Sequence, residues 1–155
     1  MDPLSIAGTC LGLVSTIAKA SLSITSYARE VRDAASDMDA VSCELCSLKA
    51  VLETLARDIA SPGCGAYPPS LAAQIPDVLA NCNDVMTRLD RILKKYSGRS
   101  VMSGAQWSWI GKQDVDQLRS SLETYKNILS LTVELSTLYE YPETTDCRAS
   151  LIEWS

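Results

Sequence analysis

Apolar residues return every three or four positions along four stretches of this chain. Ile6, Cys10, Leu13, Ile17, Ala20, Ile24, Tyr27 and Val31 form the first seam. Met38, Val41, Leu45, Leu48, Leu52, Leu55 and Ile59 form the second. The third is Leu71, Ile75, Val78, Cys82, Val85, Leu89, Ile92 and Tyr96, widened by Leu79, Met86 and Leu93. Val115, Leu118, Leu122, Tyr125 and Leu129 begin a fourth, expected to drift onto Leu131, Leu135 and Leu138. Such steps mark helices with one buried face. No stretch alternates as a strand would. The pattern predicts helices over about 3–33, 38–60, 71–97 and 113–140. Together they make an all-α, antiparallel four-helix bundle spanning 1–140, followed by a short tail over 141–155.

The breaks between the seams have their own chemistry. Asp2 and Pro3 read as an N-cap and first helical residue, because proline lacks the N–H that is unpaired there anyway. Ser36 or Asp37 is available to cap the second helix. Its short link to the first makes the two antiparallel neighbours. Ser61–Pro69, SPGCGAYPP, breaks the chain decisively. Pro76 should kink the third helix or mark where its regular part begins. Gly98 suits its C-cap. A Gly/Ser-rich connection over 97–112 carries Trp107 and Trp109, which either cover the end of the core or offer a contact surface.

The first helix departs from the soluble pattern on its other face. Opposite the seam lie Gly8, Gly12, Ser15, Lys19 and Ser23, and Lys19 is the only charge between Asp2 and Arg29. A solvated helix would carry Glu and Lys there. Gly8 and Gly12 have the GxxxG spacing that lets helices approach closely in lipid. The same spacing also suits a helix crossed by a neighbouring segment. The apolar stretch is diluted by Ser and Thr, which makes it marginal as a membrane span. Asp2 stands where a signal peptide would be basic, so a cytoplasmic protein with membrane association on activation is expected.

Composition narrows the chemistry. The 155 residues include no histidine, which removes His-based acid–base catalysis and His metal ligands. A net charge of −5 argues against nucleic-acid binding. The concentrated positive charge, Arg88, Arg91, Lys94, Lys95 and Arg99, is expected to complement a helix C-terminus, with a headgroup or partner patch as the alternative. There is no phosphate-binding glycine loop between strand and helix. Asp37/Asp39 and Asp114/Asp116 fall at helix starts, where capping accounts for them. Cys43 and Cys46 form C-E-L-C in mid-helix, unlike a redox CxxC that opens a helix after a strand. Without a second pair at ligand spacing, they read as an outward partner surface and not as a metal site. Cys10 and Cys82 lie on seams and behave as small hydrophobes. No enzyme, cofactor, metal or small-molecule substrate is expected.

Two stretches carry a family resemblance. The opening MDPLSIAGTCLGLVSTIAKA and the segment WSWIGKQDVDQLRSSLETYKNILSL (Trp107–Leu131), with the Met38–Ile59 helix between them, resemble the fungal N-terminal domain of STAND proteins, the HeLo-like group. The resemblance covers Met1 to Leu138. It implies a helical bundle at the head of NLR-like receptors linked to incompatibility and immune-type cell death. In the related HeLo and HELL domains, similar to the killer domain of the necroptosis pseudokinase, an oligomerisation signal frees the first helix to attack membranes. The same family includes the N-terminal region of an azaphilone pigment cluster protein. Nothing after Tyr139 resembles a nucleotide-binding domain, a repeat or an amyloid motif.

Two functional expectations follow. The first is a non-enzymatic signalling or effector module with the first helix as a latent membrane-targeting or oligomerising element through Gly8, Gly12, Ser15 and Lys19. Its partners would be further copies, an NLR-type protein or membrane lipids. The second is a protein–protein adaptor, including stand-alone members linked to secondary-metabolite clusters. Its contact surface would be Cys43, Cys46, Trp107 and Trp109.

Overall fold

Asp2 starts the first helix as its chemistry predicts. In the computed structural model its carboxylate accepts the backbone N–H groups of Leu4 at 2.7 Å and Ser5 at 3.3 Å, with Pro3 as the first helical residue. The structure describes residues 2–61, 67, 69–96 and 111–139. They form four long helices: α1 (Pro3–Glu30), α2 (Ala35–Ala60), α3 (Pro69–Tyr96) and α4 (Lys112–Tyr139). Trp107, Trp109, Cys64, Cys147, Gly98, Arg99 and the 141–155 tail lie outside the described residues.

Local chemistry at the first junction differs from the expected cap. α1 stops at Glu30, where Val31 turns extended and its N–H still reaches the Tyr27 carbonyl at 2.9 Å. A 3₁₀ turn, Arg32–Ala34, then runs directly into α2. Neither Ser36 nor Asp37 is the N-cap. Ala34 stands there with no side-chain cap, and both residues fall inside the first helical turn. The 3₁₀ turn supplies i to i+3 bonds that a cap would otherwise replace. Pro76 does not divide α3, which runs unbroken from Pro69 to Tyr96.

The helices pack in a ring. α1 lies against α2 and α3, and α4 lies against the same two, so α1 and α4 sit on a diagonal. One groove between α1 and α3 runs from Thr16 beside Asn83 to Glu30 beside Lys94, so these two helices are parallel. α2 and α4 are parallel as well, with Glu44 paired to Lys126 and Thr54 sharing a groove with Glu134 further along. Successive helices run antiparallel. α2 and α3 sit on the other diagonal, and the Tyr96 hydroxyl at the end of α3 reaches Asp114 at the start of α4.

All four seams meet in one core. Ile17, Met38, Leu45, Leu48, Leu52, Leu55, Leu79, Leu89, Leu118, Leu122 and Leu129 are fully buried within it. The last turns of α4 depart from expectation. Leu131 and Leu138 are exposed, and Thr132 and Ser136 take the inward positions. The helix simply continues its own period from Leu129 to Thr132 and Ser136. The two hydroxyls can be buried because each donates to a carbonyl of its own helix, Thr132 to Ile128 at 2.9 Å and Ser136 to Val133 at 2.7 Å.

Candidate functional site: the outward face of α1

Among the described residues, ring packing leaves α1 with two neighbours and one open side. Its seam goes inward: Ile6, Cys10, Leu13, Ile17, Ile24 and Tyr27 are buried. Gly8, Gly12, Ser15 and Lys19 are all on the exposed side. A β-carbon placed on Gly8 or Gly12 would meet nothing within 4 Å. Close approach by a neighbouring segment therefore does not account for either glycine among the described residues. Each glycine costs a helix about 1 kcal/mol relative to alanine. The closed bundle offers no steric return for that cost.

The periodicity reading missed three leucines on this face. Leu4 is 77% exposed, Leu11 56% and Leu22 75%. They belong to a second stepped series, Leu4, Gly8, Leu11, Ser15, Ala18 and Leu22, whose members are all exposed. The seven-residue interval from Leu4 to Leu11 and the eleven-residue interval from Leu11 to Leu22 were the available signal. It is masked in the sequence because glycine, serine and alanine separate the leucines.

The hydroxyl groups of α1 are largely satisfied by the helix itself. Thr9 donates to the Ser5 carbonyl at 2.9 Å and Thr16 to Gly12 at 3.0 Å. Ser21 and Thr25 make the same bond to Ile17 and Ser21, each at 2.9 Å, and Ser23 reaches Lys19 at 3.4 Å. Back-bonding of this kind removes donors that would resist an apolar environment. Among the described residues, α1 is the one helix long and apolar enough to cross a membrane. Core helices of soluble proteins share this length and composition, and α1 buries its seam in the core as its neighbours do.

The other candidate residues stand apart from this face. Cys43 and Cys46 are exposed on α2. Among the described residues no group of three or more Cys, Asp or Glu gathers around a common point. Cys10 and Cys82 are buried on α1 and α3. Burial pushes the Cys10 thiol up to about 11 and the Cys82 thiol up to about 12, and the proximity of Cys10 adds to the latter. Both therefore remain neutral packing groups at physiological pH. Tyr27, also inward-facing, is raised to about 12, chiefly by burial.

Comparison with known proteins bears on the whole bundle. Residues 1–149 match the family described as the N-terminal region of the pigment biosynthesis cluster protein PigL. The chain belongs to this family. Its members include fungal proteins, which is consistent with the HeLo-like resemblance of the opening and of the Trp107–Leu131 segment. Neither the curated proteins nor the solved structures give a match. The family match includes the four helices and part of the stretch that follows them. It assigns no residue of the α1 face.

Proposed function

We propose that this domain is a non-enzymatic signalling or effector module whose working surface is the outward face of α1, and that this surface engages lipid. The observation that carries the reading is an uncovered helix face holding three exposed leucines and a single charge, Lys19, between Asp2 and Arg29. Leucines lined up on one open face are unlike the scattered apolar residues of an ordinary surface. Self-bonded hydroxyls suit the same environment. The long aliphatic stem of Lys19 can lie along the apolar face while its ammonium reaches the headgroups. In this reading the closed bundle adsorbs first through Leu4, Leu11 and Leu22. Release of α1 would then expose its buried seam as a second apolar face. The small residues Gly8, Gly12 and Ser15 would let α1 helices from separate copies pack in lipid. The resting protein is cytoplasmic, and the role at the head of a fungal NLR-like cell-death system follows from the resemblance.

A second reading has the pigment-cluster family match in its favour. Here the domain is a stand-alone adaptor in a secondary-metabolite system. The same leucine face, or Cys43 and Cys46 on α2, would contact a protein. Flotation and dye leakage with anionic vesicles separate the two readings. The lipid reading expects binding that Leu11→Glu with Leu22→Glu abolishes, while circular dichroism stays helical. Absence of binding and leakage, even after forced oligomerisation, overturns it. Concentration-dependent association without vesicle binding, lost in the same double variant, selects the adaptor.

A further inference from the structure

The basic end of α3 has a structure that helix capping does not explain. Cations at a helix C-terminus gain from the macrodipole only within the last turn. In α3 the basic residues of that turn are Lys94 and Lys95. Arg88 and Arg91 lie one to two turns earlier, beyond the reach of the macrodipole. Lys94 is already engaged, 2.6 Å from the Asp90 carboxylate on the same helix. Among the described residues, Arg88, Arg91 and Lys95 have no carboxylate within ion-pair distance. They follow one another in steps of three and four, which puts them on one side of α3.

That side is a cleft. Arg88, Arg91, Ile92 and Lys95 of α3 and Asp114 of α4 line a space of about 250 Å³. Asp114 is in the first turn of α4, so the cleft adjoins the positive end of that helix. The Tyr96 hydroxyl donates to the Asp114 carboxylate at 3.5 Å. Ile92 is buried and gives the cleft an apolar floor. Pockets that enclose a whole small ligand usually run from about 300 to 1,000 Å³, so this one suits a single charged group.

We propose that this cleft binds the phosphate of a phosphomonoester. Three cations against one carboxylate leave a balance of two positive charges, which a phosphomonoester carrying about −1.5 to −2 at neutral pH matches. A sulfate ester or carboxylate, with one negative charge, would leave the cleft undercompensated. Two guanidinium groups provide the planar forks that pair with phosphate oxygens, and Lys95, whose ammonium lies 5.2 Å from the Tyr96 ring centre, adds a point charge. Asp114 limits the affinity and can accept a hydrogen bond from a singly protonated phosphate. The phosphate can belong to a soluble small molecule or to a phosphorylated lipid headgroup. The cleft is on α3 and α4 and does not depend on the role given to α1.

Heteronuclear NMR of the full chain tests the proposal with methyl phosphate and the monoanionic methyl sulfate at matched ionic strength. Methyl phosphate should produce saturable shifts clustered over 88–95 and around Asp114. Arg88→Gln and Arg91→Gln should each weaken binding about tenfold, the expected loss for a charge-assisted hydrogen bond. Asp114→Asn should tighten it, and Lys49→Gln on α2 should leave it unchanged. Absence of clustered shifts overturns the site. Equal response to methyl sulfate, or equal loss in the Lys49 variant, overturns it as general charge screening. Inositol trisphosphate and phosphatidylcholine vesicles with or without a phosphoinositide identify the source. Tighter soluble binding with vesicle binding unaffected by Arg91→Gln marks a soluble ligand, and phosphoinositide-dependent vesicle binding lost in that variant marks a headgroup. The Leu11/Leu22 double variant should retain every phosphate shift, which keeps this test separate from that of the α1 face.

Discussion

α1 and α3 are the same length, 28 residues each, and lie parallel against one another, yet their outer faces are opposites. Both bury most of a seam in the common core. Outside, α3 carries Asp77, Asp84, Asp90, Arg91, Lys94 and Lys95, as a solvated helix does. α1 shows leucine, glycine, serine and threonine, with Lys19 alone charged along most of its length. The core asks the same of both helices and cannot account for the difference. Whatever separates them concerns what meets their outer faces. On α3 the charged face also gathers three cations that have no carboxylate partner among the described residues at one cleft, so each helix has its own specialised patch, apolar on one and cationic on the other.

The largest expected effect would show whether the two helices are equal on the inside. Ile17→Ala on α1 and Leu89→Ala on α3 remove fully buried side chains, and each should cost about 2–5 kcal/mol in chemical denaturation. A much smaller loss for Ile17→Ala would mean that α1 is held only loosely in the resting bundle. The seams also share a titration. Because the Cys10 and Cys82 thiols are raised in the folded state, their contribution to stability is complete below the ordinary thiol value of about 9 and is lost as pH rises towards 11–12. Alkaline denaturation should steepen over that range and flatten in a Cys10→Ala/Cys82→Ala variant. At neutral pH, alkylation followed by mass spectrometry should label Cys43 and Cys46 well before Cys10 and Cys82.

Smaller effects concern the outer face and the start of α1. Asp2→Ala removes a cap and should cost about 1 kcal/mol. Gly8→Ala and Gly12→Ala should each stabilise the protein by about 0.5–1 kcal/mol, since the added methyl meets open space and the helix gains propensity. Destabilisation by either would show that the glycine face is covered in solution after all. The smallest effect is expected at the ion pair from Lys126 to Glu44, 2.9 Å apart and about one quarter exposed, which links α4 to α2. A double-mutant cycle there should give a coupling of no more than about 1 kcal/mol.

Much of the fold could be read from spacing alone because each helix repeats its own local rule. Apolar steps of three and four located the seams, and Asp2–Pro3 located the start of α1 to the residue. The reading failed where local signals competed with packing. Leucine content drew the fourth seam toward Leu131 and Leu138, although Thr132 and Ser136 continue the true period and satisfy their own hydroxyls. Ser36 and Asp37 offered a cap that the 3₁₀ turn made unnecessary. The small outer face of α1 was legible in Gly8, Gly12 and Ser15, but Leu4, Leu11 and Leu22 were not recognised as part of it.

The sequence by itself determined an all-helical chain, four amphipathic seams and one helix with an uncharged reverse side, because all three are properties of residues within a few turns of one another. Beyond the α1–α2 pair, only the tertiary structure decided which helices are neighbours. That arrangement leaves the reverse side of α1 open, with free space around Gly8 and Gly12. It also brings Asp114 to Arg88, Arg91 and Lys95 across a cleft. Both patches are built from the relative placement of whole helices, and helix periodicity carries no record of that placement.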